Sequence, residues 1–280
     1  IAFGENARAS SLFSVSIGGK LIIDKSMESV FGTIDKGVQS YVVVTPGSGI
    51  AGVNAAVVNY SDIKISEEAK AMTAFYVGTN NTLENYGNIV NNSSVYGFNN
   101  AGGVGLYIVG TALNRGNIVM NNDGAMAIYN IGQAPFDSQS DFIKINGNRS
   151  VGIFTDKSGT GGLSNVALNK LDVTGNESMA FHMTSGSFIL SPYTEDSLEV
   201  TVDGQDSAVF SSSLSRRSLG KYTINGKLNA HVKNGGIAIA HSAGIGYNAV
   251  YLNPIDLFDT SNGDLNIKVD ENSYAMAFLR

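Results

Sequence analysis

The sequence predicts an all-β fold, a right-handed parallel β-helix (solenoid) of about nine to ten circuits, on three observations. Glycine, asparagine and serine fill a third of the 280 positions, so turn residues are abundant and strong helix formers scarce. A pattern of alternating apolar residues broken by a polar stretch recurs nine times. The recurrence is regular: Ile63, Ile89, Ile118, Ile143, Leu171, Val200 and Leu228 follow one another at 26, 29, 25, 28, 29 and 28 residues. A fixed period of this length is the mark of stacked repeats.

The clearest copies show how one circuit is written. Ile118 and Met120 lead through Asn121, Asn122, Asp123 and Gly124 to the close Ala125-Met-Ala-Ile-Tyr129. Ile143 and Ile145 lead to Ser150-Val-Gly-Ile-Phe154, Leu171 and Val173 to Ser178-Met-Ala-Phe181, and Val200 and Val202 to Ser207-Ala-Val-Phe210. Weaker copies start at Leu21, Ile63, Ile89, Leu228 and Ile267. Alternation at period two indicates strands with one buried face, and glycine and asparagine in the breaks tolerate the positive φ of a sharp corner. Three short strands and three corners fit one period. The hexapeptide repeat of left-handed helices is absent, which gives the expected hand.

Stacking aligns equivalent positions. The anchors Ile118, Ile143, Leu171 and Val200 should form an inward aliphatic column, and Phe181 and Phe210 another. Asp123, Asn148, Asn176, Gln205 and Asn272 should form a polar column, hydrogen-bonded vertically in the manner of stacked amides. Two intervals exceed the period: Leu21 to Ile63 spans 42 residues and Leu228 to Ile267 spans 39, so each holds a partial turn or a protruding loop. Smaller excursions are expected at 131–141, 155–165, 184–197 and 211–221. No change of composition divides the chain, so residues 1–280 read as one domain. With no initiator methionine and no signal-peptide pattern, the expectation is a segment of a longer protein.

Composition also bounds function. The net charge of −6, with 18 basic and 24 acidic residues, provides no basic footprint for nucleic acid. The absence of cysteine removes disulfides, thiolate metal sites and cysteine nucleophiles together, and suits a secreted chain. The uncharged stretches 37–61 and 234–255 are broken by Pro46 and Pro254 and by many glycines, so neither reads as a membrane-spanning helix.

Reactive groups are sparse. A glycosidase needs two carboxylates roughly 5 to 9 Å apart. Asp203 and Asp206 form the best local cluster, but they occupy the corner position held by Asn146 to Arg149 in another copy. Asp256, Asp259 and Asp264 share the second long interval and have the freedom there to approach one another. His182, His231 and His241 lack metal-ligand spacing, and Gly102-Gly-Val-Gly105 lacks both the aspartate of a calcium-binding repeat and the third glycine of a dinucleotide fingerprint. No catalytic residue, metal or cofactor is assigned. The binding candidates are the dibasic pair Arg216 and Arg217 in a polar run, and the excursion aromatics Tyr193, Tyr247, Tyr251 and Phe258. Aromatics at such positions either meet a partner at low entropy cost or cover the core where a circuit widens.

The segments Asn85-Tyr-Gly-Asn-Ile89 and Asn114-Arg-Gly-Asn-Ile118, each followed by a polar corner and a close such as Gly124-Ala-Met-Ala-Ile-Tyr129, resemble the passenger domains of autotransporters. The likeness is greatest to the large fusobacterial-type outer-membrane adhesins and runs from about Ile63 onward. It is architectural and brings no catalytic residue with it. It implies a secreted, surface-displayed passenger, a C-terminal membrane β-barrel beyond this chain, and attachment to host cells or other bacteria through a protein receptor or a glycan. The ending at Arg280, directly after an apolar strand pattern, fits a truncated passenger. The alternatives are a β-helical carbohydrate-active enzyme, lyase or glycosidase, and a toxin passenger acting on host membranes.

Overall fold

The computed structural model describes residues 11–16, 18–47, 54–97, 102–156, 163–213, 220–242 and 257–279. Within them the alternating segments become strands of two sheets, one of ten strands and one of fourteen. Every pairing is parallel, as in Val104–Ile108 on Met126–Asn130 and Met126–Asn130 on Val151–Asp156. Consecutive strands of the ten-stranded sheet are separated in sequence by strands of the broad fourteen-stranded sheet, so the chain winds around one core as a parallel β-helix. Among the described residues no helix is long and apolar enough to cross a membrane.

The inward columns follow the periodicity. Ile63, Ile89, Ile118, Ile143, Leu171 and Val200 lie directly over one another. All six are buried, each by the circuits above and below it, and full burial of such a side chain contributes roughly 1.5–3 kcal/mol. Phe181 stacks on Phe210 with centroids 5.9 Å apart, and Phe188 and Tyr222 extend this into an aromatic core. The Tyr222 hydroxyl, fully enclosed there, donates to the Ser211 carbonyl at 2.6 Å, and burial pushes its ionisation far upward.

Two anchors differ from the sequence reading. Val200 aligns with Ala230, whereas Leu228 aligns with Leu198, because the strand Tyr222–Lys233 alternates apolar residues through both positions. Leu21 aligns with Val57 in a separate column. In the first long interval the described residues add further circuit, the partial turn that the spacing allowed: a helical turn at Glu28–Phe31 precedes Thr33–Ile34, which pairs with Ile63–Ile65, and Tyr41–Thr45, which pairs with Thr73–Val77. The expected excursions at 131–141 and 184–197 are largely strand, Phe136–Ile145 and Ser187–Ser191, leaving short connections such as 192–196. Residues 157–162, 214–219 and 243–256, where the remaining excursions were expected, lie outside the described residues.

Corners fix the register. In the earlier circuits the broad sheet bends at a buried asparagine: Asn59 Nδ2 donates to Asn85 Oδ1 at 2.7 Å, and Asn85 Nδ2 to Asn114 Oδ1 at 2.8 Å. Each Nδ2 also donates to the carbonyl two residues on, at Ser61, Gly87 and Gly116 respectively, which pins the bend. Gly87 and Gly116 sit where a Cβ would collide with the carbonyl oxygens of Ser61 and Gly87 below them. Ser138 and Val166 continue this column without an amide, and there the two short strands merge into the continuous Phe136–Ile145 and Leu163–Val173.

The polar column expected at Asp123 forms with different chemistry. Its side-chain oxygens accept backbone amides instead of side-chain amides: Asp123 from Asn148 N at 2.8 Å, Asn148 from Asn176 N at 2.9 Å, and Asn176 from Gln205 N at 3.0 Å. The next residue is left-handed in each circuit, Gly124, Arg149, Glu177 and Asp206, with φ of 61°, 52°, 54° and 56°. Side-chain amides do bond one another on the outside, where Asn146 donates to Asn121 at 2.5 Å and Asn121 to Asn92 at 2.6 Å.

On the outward face of the ten-stranded sheet, Tyr76, Tyr107, Tyr129, Phe154 and His182 form a ladder with centroid spacings of 4.9, 4.9, 4.9 and 5.1 Å. His182 Nδ1 lies 2.9 Å from Ser211 Oγ.

Replacing Asn85 with alanine strands two buried amide partners and should lower unfolding stability by about 1–3 kcal/mol in a urea titration. A loss below a few tenths of this would remove the amide column from its structural role. Burial holds the His182 pKa below its ordinary 6.5, and His241 shifts in the same direction. The unfolded chain therefore binds more protons, and stability should fall as the pH drops below about 6.5. Thermal melts of His182→Phe should show a shallower loss between pH 7 and 5 than the parent; identical slopes would exclude His182 as a contributor.

Candidate recognition groove

The broad sheet presents its charged and amide side chains outward, and the corner asparagines dictate where they converge. Because Asn59, Asn85, Asn114 and Ser138 stack in register, the residues after them, Tyr60, Tyr86, Arg115 and Gln139, form an outward column. Tyr60 is 45% exposed and stacks on Tyr86 with centroids 5.1 Å apart and planes 13° from parallel. The Arg115 guanidinium lies 5.6 Å from the Tyr86 ring centroid, and its Nε donates to Gln139 Oε1 at 3.3 Å. Tyr86 donates its hydroxyl to Glu84 at 2.8 Å, a bond that keeps the proton on the phenol and raises its pKa.

Below Arg115 the column continues through Gln139 and Ala167 to Ser191. It is flanked by Asp137, Asn165 and Ile189, again in register. Asn165 Nδ2 donates to Asp137 Oδ1 at 2.7 Å, which orients both groups. With Asn225 these residues line a groove of about 320 Å³. It opens where Ser187–Ser191 and Ser197–Asp203 replace a single continuous strand, the break being the 192–196 segment.

That segment carries Tyr193, 38% exposed and two residues beyond groove-lining Ser191. Its backbone is held by one side chain: Asn169 Oδ1 accepts the amides of Tyr193, Thr194 and Glu195 at 3.3, 2.8 and 3.0 Å, and Asn169 Nδ2 donates to Thr194 Oγ1 at 2.7 Å. Of the sequence-predicted binding residues that are described, Tyr193 sits in the segment that follows groove-lining Ser191 and is not itself among the lining residues. Phe258 takes the other role open to it, half-buried with its ring 5.0 Å from Phe210 and 5.5 Å from Tyr222 as a cover on the aromatic core. Arg216, Arg217, Tyr247 and Tyr251 lie outside the described residues. Tyr60, Tyr86, Arg115 and Asn165 went unseen in the sequence. The signal was the variable position in Asn-x-Gly-Asn-Ile, which is Tyr86 in one circuit and Arg115 in the next.

Asp203 accepts a hydrogen bond from Asn234 Nδ2, and Asp206 is the left-handed corner residue described above. Asp259 and Asp264 lie five residues apart in Phe258–Val269, about 16 Å along the strand at 3.3 Å per residue, and do not approach one another as the long interval had allowed. Asp256 lies outside the described residues. His231 Nε2 binds Asp270 at 2.9 Å, a bond that holds the carboxylate below its usual pKa. Among the described residues no three His, Cys, Asp or Glu side chains are grouped to hold a metal ion.

Removal of the Asn169 side chain should free the 193–195 amides. Hydrogen exchange of Asn169→Ala should show these amides at least tenfold faster than in the parent, with strand amides of Leu163–Val173 unchanged; unaltered protection would mean the segment is held elsewhere. Compared with known proteins, the chain matches no family model, no curated protein and no solved structure.

Proposed function

We infer that the chain is a non-catalytic recognition segment of a surface-displayed protein, an adhesin of the autotransporter passenger kind, and that its ligand is a glycan bound along the groove of the broad sheet. The observation that carries this is the column Tyr60, Tyr86, Arg115 and Gln139 running into Asp137, Asn165 and Asn225. Sugar rings need flat apolar faces for their C–H surfaces and paired donors and acceptors for their hydroxyls. The exposed Tyr60 ring, backed by Tyr86, whose own faces are taken by Tyr60 and Arg115, supplies the first, and oriented amide, carboxylate and guanidinium groups the second. A groove that tracks a rod suits an extended chain of sugars better than a single compact molecule, because equivalent positions recur every 4.8 Å or so. The family resemblance supports a surface-displayed, outer-membrane-anchored setting, and a cysteine-free composition is in keeping with secretion.

The test is a glycan array followed by titration of the strongest ligand. Tyr86→Ala and Asn165→Ala should each weaken binding about tenfold or more while leaving the circular dichroism unchanged, a loss of about 1.4 kcal/mol per site. A paired assay for new reducing ends or unsaturated products should remain at background. Release of such products, lost in Asp203→Asn with Asp206→Asn, would establish the carbohydrate-active alternative instead. Cell attachment that survives both groove substitutions would assign the contact to another surface.

A further inference from the structure

Four asparagines in the chain are followed by glycine: Asn146, Asn225, Asn234 and Asn262. No side chain shields the glycine amide at such a step, so its nitrogen reaches the asparagine Cγ wherever the fold leaves both groups free. The fold separates the four. Asn146 is held at both ends of its amide, donating to Asn121 Oδ1 at 2.5 Å and accepting from Thr174 Oγ1 at 3.1 Å. Asn234 donates to Asp203 Oδ1. Among the described residues, Asn225 and Asn262 are the two of these four whose side chains make no hydrogen bond, and they are stacked in register, as are Gly226 and Gly263.

Backbone freedom distinguishes Asn225 from Asn262. Pairing with Ser187–Ser191 ends at Ile224 and pairing with Ser197–Asp203 begins at Lys227, so Asn225 and Gly226 belong to neither ladder on that side. On the other side the register with Phe258–Val269 shifts between Thr223 and Asn225. Gly226 has a φ of 92°, a departure from the extended strand that glycine makes at little cost, and Asn225 is exposed in the groove. Gly263 is confined: a Cβ there would lie 2.1 Å from the Gly226 carbonyl oxygen, so its backbone is pressed onto the circuit above.

We propose that the Asn225-Gly226 step is a self-modification site, at which the groove asparagine converts to aspartate and isoaspartate through a cyclic imide. The Gly226 nitrogen gives up its proton to a base in solution and attacks Asn225 Cγ. The Cγ–Nδ2 bond breaks and ammonia leaves. Solvent water then opens the five-membered imide at one carbonyl or the other, so one water enters for each ammonia lost. Opening at the main-chain carbonyl leaves isoaspartate, which carries an extra carbon in the backbone, and the interrupted ladder is where such lengthening disturbs the least pairing. Either product replaces an amide that donates and accepts with a carboxylate that only accepts, in a groove that Asp137 already lines. Resting on the glycan reading of that groove, the consequence is a ligand affinity that declines as the protein ages.

The purified folded chain, kept in mildly alkaline buffer and sampled over several days by peptide mass spectrometry, should show the amide-to-acid mass change at Asn225 at least tenfold faster than at Asn146 or Asn234, with isoaspartate the major product. In concentrated urea, where the folded contacts are gone, the three steps should react within about threefold of one another. Equal rates at Asn225 and Asn146 in the folded chain overturn the proposal, as does aspartate formed without isoaspartate, the mark of direct hydrolysis. Asn225→Asp, titrated with the strongest glycan of the array, should bind at least threefold more weakly than the parent, and undiminished binding overturns the consequence for affinity. A parent that binds no glycan tells against the groove reading alone, because the modification rates need no ligand.

Discussion

The structure depends on how closely one circuit can lie on the next at its corners. Strands tolerate many side chains, since these project into the core or into solvent, but a corner brings backbone onto backbone. At Gly87 and Gly116 the carbonyl below occupies the place of a side chain, and at Asn59, Asn85 and Asn114 an amide spans the circuits and closes the bend of its own circuit. These contacts set the vertical register, and the register delivers each aliphatic anchor onto its neighbour. The buried serines Ser150, Ser178 and Ser207 repeat the device at another corner, where Ser150 N donates to Ser178 Oγ and Ser178 N to Ser207 Oγ.

Much of the architecture was legible because period and alternation are properties of the chain itself. The inward column from Ile63 to Val200 needed only spacing. What spacing could not supply was phase within a long alternating strand: Leu228 and Ala230 are both apolar and both inward, and only pairing with Leu198 and Val200 separates them. The polar column was placed correctly from Asp123 to Gln205 and its bonds were not, because a short side chain beside a left-handed residue reaches the next backbone amide before it reaches another side chain; beyond Gln205 it is interrupted by Gly235 before Asn272. The groove was harder to read. Its members come from different circuits at positions that the repeat leaves free, so each looks like an ordinary surface residue until stacking puts Arg115 over Tyr86.

The division of labour between the two sheets follows from the same geometry. Outward residues are not needed to fill the core, so their identity is freer to vary even where they stack on one another, as in the ladder from Tyr76 to His182. One sheet uses that freedom for charge and amides, held in place by bonds such as Asn165 to Asp137. The other uses it for rings and small apolar groups. A rod built this way carries two chemically different surfaces on one core.

The merging of two short strands into one from Phe136 onward has a consequence for how such a chain can change length. Inserting a single residue within a continuous strand reverses the facing of every side chain that follows it in that strand, exporting core and importing charge. Gain or loss of a whole period carries no such penalty, and neither does growth at the 192–196 break, where pairing is already interrupted. Divergence among chains of this design is therefore expected as added circuits and enlarged breaks, with single-residue gaps kept out of the strands.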